Sequence, residues 1–145
     1  MQRLIEGTEA VSMHIRRSDY VSGPYVHNRF YLCPLSYYYA AIEILRKSLS
    51  YPDFFVFSDD IQWVKENLRL EYPTRYVDHN GPERDYEDLR LMSLCKHHVI
   101  ANSTFSWWGA WLSTNPEKIV IAPQHWFKDA KRCTKDLIPG TWIRL

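Results

Sequence analysis

The sequence predicts an α/β fold in which a parallel sheet carries helices on both faces, an arrangement called Rossmann-like. Short apolar runs alternate along the chain with segments in which apolar residues recur at helical spacing. Strands that alternate with helices favour right-handed crossovers, and these produce a parallel sheet covered on both sides. The length of 145 residues and the 46% hydrophobic content fit a single domain over residues 1–145.

The first half of the chain contains two predicted strands and two predicted helices. Residues 10–15 form an apolar run typical of a strand, and residues 54–57 form a shorter, fully apolar one. A proline opens the helix predicted over 34–49, because proline suits the first helical position. Asp59 followed by Gln62 three residues later predicts a capping box at the start of the second helix.

The second half repeats the alternation of strands and helices. The predicted strands are 74–77, 98–101 and 118–122, and the predicted helices are 83–95 and a segment from Ser103 or Thr104 to Leu112. A turn over 79–82 separates the first of these strands from its helix, since Asn-Gly and Gly-Pro are strong turn signals.

Charge and cysteine content exclude several classes of protein. Eighteen Lys and Arg against 17 Asp and Glu leave a net charge of +1, so a nucleic-acid partner is not expected. An anionic ligand must then be met by a local cluster of groups. Three cysteines are too few for a disulfide framework, and an odd number fits a reducing compartment. Residues 1–7 are polar and do not resemble the apolar segment of a secretory leader, so a cytoplasmic chain is expected.

Polar residues follow each predicted strand. These clusters are 14–19, 58–60, 78–80, 102–104 and 124–125. In open parallel sheets the ligand crevice lies outside the carboxyl ends of the strands. The clusters therefore predict a binding site at that edge of the sheet.

The Arg16-Arg17 pair suits a diphosphate, because guanidinium groups bind phosphate oxygens in bidentate fashion. In an extended segment the two side chains point to opposite faces. Arg16 shares its face with His14 and is the predicted ligand contact, while Arg17 is expected to pair with a carboxylate. The alternative is a salt-bridged arginine pair on the surface.

Residues 102–106 lie where a strand passes into a helix, and free backbone N–H groups bind anions at such a point. Simple capping by Ser103 or Thr104 is the alternative. Neither a GxGxxG nor a P-loop pattern is present in the sequence, which disfavours dinucleotide-dependent enzymes and P-loop kinases.

Asp59 and Asp60 are compatible with a divalent metal, a helix cap or an arginine pair, and capping by Asp59 is the preferred interpretation. His97 and His98 diverge in an extended segment, so we predict structural roles for them and no metal site.

Two segments resemble motifs of a known enzyme family. Residues 14–20, His-Ile-Arg-Arg-Ser-Asp-Tyr, resemble the HxRRxD motif of fucosyltransferases that use GDP-fucose. Residues 88–112, which include an unusual Asn-Ser-Thr-Phe-Ser-Trp-Trp, resemble the long signature of bacterial α-1,2-fucosyltransferases, glycosyltransferase family 11. Together with 57–60, the resemblance covers nearly the whole chain.

The resemblance implies the donor-binding half of a GT-B enzyme that transfers L-fucose, with inversion, from GDP-fucose to the 2-hydroxyl of a terminal galactose. It implies no metal and no other cofactor. The expected partners are GDP-fucose, a galactose-terminated glycan and an N-terminal acceptor-side half that is expected to be absent from this chain. Peripheral association of the parent enzyme with the inner membrane face is a further expectation.

Residue roles follow from the same resemblance. It assigns donor binding to His14, Arg16, Asp59, Asp60, Asp88, Asn102, Ser103, Thr104 and Ser106. His14 and Arg16 would contact the diphosphate, and Arg16 would neutralise the departing GDP. Asp88 would accept hydrogen bonds from the guanine edge. The serine and threonine hydroxyls would lie by the β-phosphate, and Asp59 and Asp60 would order the site.

The catalytic base has three candidate sources. Asp19 is the nearest carboxylate, although it is also suited to hold Arg17, and His27 is the second candidate. The third is the part of the enzyme outside this chain. Two other functions remain as alternatives: a non-catalytic nucleotide-sugar binding module, and a metal-dependent phosphohydrolase that uses Asp59, Asp60 and the histidines.

Overall fold

A computed structural model describes residues 1–129 and 131–145. The strands are β1 (Glu9–Ile15), β2 (Pro52–Ser58), β3 (Thr74–Tyr76), β4 (His97–Val99), β5 (Val120–Ala122) and β6 (Ile143–Arg144). The helices are α1 (Gln2–Glu6), α2 (Ser18–Ser22), α3 (Pro24–Arg29), α4 (Leu35–Leu45), α5 (Ile61–Asn67), α6 (Asp85–Leu94) and α7 (Thr104–Leu112), with a 3₁₀ turn at Pro82–Arg84.

The strands form one sheet in the order β3-β2-β1-β4-β5-β6, and each neighbouring pair is parallel. The predicted Rossmann-like α/β class is confirmed. From β1 the chain builds outward through β2 and β3 on one side, then returns to add β4, β5 and β6 on the other. The order therefore reverses between β1 and β4, where ligands bind in open α/β sheets.

Apolar side chains of β1 and β2 pack against helices on both faces of the sheet. One cluster joins Val11 and Met13 of β1 to Val56 of β2, with apolar side chains of α4 and α5 packed against them. The opposite cluster contains Ala10 and Phe57, with apolar side chains of α1 and α6. Successive residues of a strand point to opposite faces, and almost every residue of β1 and β2 is buried, so both faces of these strands are covered, as is usual in a parallel sheet.

Several boundaries differ from the sequence-based prediction. The helix predicted over 34–49 ends at Leu45, and the strands predicted over 98–101 and 118–122 cover His97–Val99 and Val120–Ala122. The short helices α1, α2 and α3 and the two-residue strand β6 were not predicted, since such short segments show too little periodicity. Within the part of the chain described, no helix has the length and apolar character that crossing a bilayer requires.

Gly109 permits the close approach of α7 to α6, because a Cβ built there would lie 2.9 Å from Met92 Cβ. We expect Gly109→Val to lower the free energy of unfolding by about 1–3 kcal/mol through overpacking. Urea denaturation of the variant measures this loss. Gly140→Val is the matched control, since a Cβ at Gly140 meets no described atom within 4 Å. Equal stability of the two variants would show that the α6–α7 contact tolerates a larger side chain.

Candidate functional site

A cleft of about 550 Å³ lies at the carboxyl edge of the sheet, beside the reversal in strand order. It is lined by His14, Arg16, Phe57, Ser58, Asp59, Asn80, Gly81, Asp85, Asp88, Ser103, Thr104 and Phe105. Its volume falls in the range of roughly 300–1,000 Å³ typical of small-molecule sites. The lining comes from the ends of β1 and β2, the segment after β3, and the first turns of α6 and α7.

Arg16 is held in one orientation by two carboxylates. Its Nη2 lies 3.0 Å from Asp19 Oδ2, and its Nε lies 3.3 Å from Asp59 Oδ2. These contacts fix a long, flexible side chain at the cleft wall, so an anion that binds there need not order it. The sequence also allows Asp19 to pair with Arg17, but in the structure Asp19 pairs with Arg16.

Arg17 points away from the cleft. Its guanidinium carbon lies 3.7 Å from the Trp63 ring centre, and its Nε lies 3.3 Å from Asp60 Oδ2. The divergence of Arg16 and Arg17 is the one expected for consecutive residues of an extended segment. Asp60, grouped with the donor-binding residues on resemblance, does not line the cleft and holds Arg17 instead.

The two adjacent aspartates have separate structural roles. Asp60 Oδ1 accepts a hydrogen bond from the Trp63 backbone N–H at 3.3 Å and so caps α5. The prediction that Asp59 caps this helix is therefore wrong. The Asp59 carboxylate accepts hydrogen bonds from the backbone N–H groups of Arg17 at 2.8 Å and Ser18 at 3.0 Å. It thereby ties the loop after β1 to the end of β2 at the wall of the cleft.

His14 contributes an uncharged ring to the cleft. It is only 4% exposed, and burial lowers its pKa to about 3. Its Nδ1 is buried without a hydrogen-bond partner among the described residues. Buried polar atoms rarely stay unpaired in a native protein, so this nitrogen is suited to a hydrogen bond with a bound ligand.

His14 and His98 are both buried, and for each the pKa is lowered to about 3. In the unfolded chain both take up a proton near pH 6.5, so the unfolded state gains stability as the pH falls below that value. We expect the free energy of unfolding to fall by about 1.3 kcal/mol per histidine between about pH 7 and about pH 5.5. Urea titrations at the two pH values measure the drop, and His98→Gln should remove about half of it.

The N-terminus of α7 opens into the cleft. Ser103 occupies the N-cap position, and no described side chain caps this end of the helix. The first backbone N–H groups of α7 therefore lack a capping acceptor, and the hydroxyls of Ser103 and Thr104 lie among them in the cleft lining. Simple side-chain capping, the alternative at this position, does not occur. The arrangement suits an anionic ligand.

The side of the cleft that α6 contributes is acidic. Asp88 Oδ1 accepts a hydrogen bond of 2.7 Å from Asn80 Nδ2, and burial raises the pKa of Asp88. Asp85 lies one turn earlier on α6 and also lines the cleft. Asn80 lies in the polar cluster that the sequence predicts after the third strand. Nothing in the sequence distinguishes Asp85 and Gly81 from other residues of helices and turns.

Asn102 and Ser106 do not line the cleft. Asn102 is 1% exposed, and its amide donates to the carbonyls of Tyr31 at 2.6 Å and Trp126 at 2.8 Å. Ser106 is 2% exposed and donates to backbone carbonyls of its own turn. In this structure both residues support the loop that carries Ser103 and Thr104, and neither side chain lines the cleft.

The remaining histidines considered for chemistry have structural partners. His27 Nδ1 lies 3.0 Å from the Tyr20 carbonyl oxygen. His97 Nε2 lies 2.8 Å from Glu9, and His98 Nδ1 lies 2.8 Å from Ser12 Oγ. Among the described residues, no three His, Cys, Asp or Glu side chains come together as metal ligands would.

The fold and the cleft define a class of protein. An open parallel sheet with a cleft at its switch point, an oriented arginine and an uncapped helix N-terminus is typical of proteins that bind phosphorylated nucleotides. The family model "Glycosyl transferase family 11" matches residues 2–145. The chain belongs to glycosyltransferase family 11, as the resemblance of residues 14–20 and 88–112 predicted.

Curated relatives agree with this assignment. The chain is 40% identical over 144 residues to the O-antigen biosynthesis glycosyltransferase WbnK of Escherichia coli, covering 98% of this chain and 46% of that protein. It is 40% identical to an alpha-1,2-colitosyltransferase of the same organism, covering 98% and 49%. A Bos taurus galactoside alpha-(1,2)-fucosyltransferase 1 is 27% identical, covering 71% and 29%. The chain thus spans about half the length of the two bacterial relatives. No solved structure gives a significant match.

Proposed function

We propose that residues 1–145 bind the nucleotide-sugar donor of an inverting glycosyltransferase that moves L-fucose from GDP-fucose to the 2-hydroxyl of a terminal galactose. The observation that carries the proposal is the lining of the cleft, which combines Arg16 and the uncapped N-terminus of α7 with the carboxylates Asp85 and Asp88 of α6. A nucleoside diphosphate offers an anionic diphosphate to the first set of groups and the N–H donors of a base to the second. The fucosyltransferase and colitosyltransferase names of the relatives support a deoxy sugar as the transferred group.

The diphosphate would lie between Arg16 and the first turn of α7. Arg16 offers the guanidinium N–H groups that Asp19 and Asp59 leave free, His14 offers a neutral ring nitrogen, and α7 offers free backbone N–H groups. These groups are already oriented before the sugar departs, so they stabilise the charge that develops on GDP without reorganising. Glycosyl transfer passes through an oxocarbenium-like state, and departure of GDP is the step these residues assist.

Guanine would lie on the acidic side of the cleft that α6 contributes. Its N1–H and N2–H₂ groups are donors that a carboxylate can accept together, and adenine lacks that pair of donors. Asn80 fixes one oxygen of Asp88, which orients the carboxylate before the base binds. The proposal includes no metal or other cofactor.

Catalysis would need a base as well as a bound donor. The Asp19 carboxylate is engaged with Arg16, and in this arrangement it acts as a positioning group for the arginine. The base would then come from the remainder of the enzyme, which would also supply the acceptor-side wall of the cleft. The relatives are about twice as long as the matched region, which leaves room for such a half.

Replacement of Arg16 tests the proposal directly. Arg16→Lys keeps the charge but loses the bidentate fork, and we expect GDP affinity to fall roughly tenfold to a hundredfold. Isothermal titration calorimetry with GDP, without added metal ion, measures the change. Arg17→Lys is the matched control: it should leave GDP affinity unchanged and lower stability, since it loses the contacts with Trp63 and Asp60. An unchanged affinity in Arg16→Lys would remove Arg16 from the site, and failure of the unmutated chain to bind GDP would refute the proposed function.

A further inference from the structure

A second cavity, of about 260 Å³, opens at the same edge of the sheet, past the carboxyl ends of β5 and β6 and beside the start of α4. It is lined by Tyr31, Pro34, Ser36, Tyr37, Pro123, Gln124, His125 and Leu145. None of these residues lines the first cleft. The donor site described above therefore leaves this cavity unused.

The lining indicates the class of ligand. None of the described lining residues is Lys, Arg, Asp or Glu, so the cavity is poorly suited to phosphate or another fully ionised group. The rings of Tyr31 and His125 lie 5.6 Å apart at 56° and form an aromatic wall. Gln124, His125 and Ser36 are exposed and offer hydrogen-bonding groups around it. The volume lies below the roughly 300 Å³ at which pockets for drug-sized ligands begin, so the occupant is about one small ring.

A sugar ring has the complementary chemistry, because it presents a face of C–H groups to an aromatic wall and hydroxyls to the polar groups around it. We infer that this cavity is a saccharide subsite that binds one residue of the glycan acceptor. The saccharide class follows from the lining alone, while its identity as the acceptor rests on the proposed function.

Asn102 joins the two sites. Its backbone directly precedes Ser103 in the cleft, and its amide donates to the carbonyls of Tyr31 and Trp126. Tyr31 lies on one rim of the cavity, and Trp126 follows His125 on the other. The same side chain therefore fixes both rims relative to the phosphate end of the cleft. A fixed spacing of this kind is what holding an acceptor against a donor requires.

Saturation-transfer NMR on the 145-residue chain with lactose tests the inference, with and without GDP. We expect saturation transfer to the ring protons of the sugar. Tyr31→Ala and His125→Ala should each weaken the affinity for lactose roughly twofold to tenfold, because each removes one aromatic surface. Tyr31→Phe keeps the ring and should bind nearly as well as the unmutated chain. Tyr51→Ala is the matched control, because Tyr51 is 88% exposed and lines neither cavity.

Calorimetry with GDP on the same variants separates the two proposals. Normal GDP binding by both alanine variants shows that they fold, so loss of the lactose signal then supports the subsite. Absence of lactose binding in a chain that binds GDP overturns the inference and leaves the proposed function standing. Lactose binding that Tyr31→Ala and His125→Ala do not weaken also overturns it. If the chain binds lactose but not GDP, the saccharide subsite holds and the proposed function fails.

Discussion

The 145-residue chain is expected to bind GDP but to form no 2'-fucosyllactose when it is incubated with GDP-fucose and lactose. Transfer requires the acceptor hydroxyl to be held in line with the anomeric carbon in a closed cleft. Such positioning supplies about 7–11 kcal/mol of barrier reduction, which corresponds to a rate difference of roughly 10⁵-fold to 10⁸-fold. The chain spans about half the length of its bacterial relatives, and the proposed function assigns one wall of the expected cleft to residues outside it.

A full-length member of the family, assayed with the same labelled donor and acceptor, is the appropriate comparison. Radiolabelled product separated by chromatography measures both rates. Formation of product by the 145-residue chain at a rate near that of the longer enzyme would contradict the two-half interpretation. Acceptor, donor and base would then all have to lie within residues 1–145.

Asp88→Asn is expected to abolish most of the preference for GDP over ADP. A carboxylate that accepts both N1–H and N2–H from guanine makes two charge-assisted hydrogen bonds, and adenine leaves it unpaired. We expect the unmutated chain to prefer GDP by roughly a hundredfold or more, and the asparagine variant by less than about tenfold. Calorimetric titrations with GDP, ADP and UDP give the ratios.

Asp85→Asn is the matched control, because Asp85 lies on the same helix and lines the same end of the cleft but is not the partner of Asn80. It should leave the ratio of GDP to ADP affinity unchanged, whatever it does to either affinity alone. Equal affinities for GDP and ADP in the unmutated chain would show that Asp88 does not contact the base. A loss of preference in Asp85→Asn alone would move the base-reading role to that residue.

The sequence by itself predicted the fold class and the edge of the sheet at which the cleft lies. Residues 54–57 are apolar on both faces and residues 10–15 are mostly apolar, which in an alternating pattern of strands and helices predicts the interior strands of a parallel sheet. The opposite directions of Arg16 and Arg17 follow from local geometry, since an extended backbone turns consecutive side chains to opposite sides. Family membership was also accessible, because the two motifs that carry it are contiguous in the chain.

Only the tertiary structure decided what each polar side chain at that edge does. Asp59 and Asp60 have the same chemistry and adjacent positions, yet one accepts hydrogen bonds from the loop after β1 and the other caps α5. The Asp59 contacts join residues 41 and 42 positions apart. These distant residues meet because β1 and β2 pair in register from Glu9 with Pro52 to Ile15 with Ser58. No local sequence pattern specifies that register.

The same reason explains Asn102 and Asp85. Asn102 is buried because it satisfies the carbonyls of Tyr31 and Trp126, which are 71 and 24 positions away. Asp85 enters the cleft because α6 packs beside α7, and that contact depends on Gly109 facing Met92. The periodicity of a sequence shows which residues share a face of one helix or strand. The partners of a polar group depend on how distant helices and strands pack, and that packing is a property of the whole folded chain.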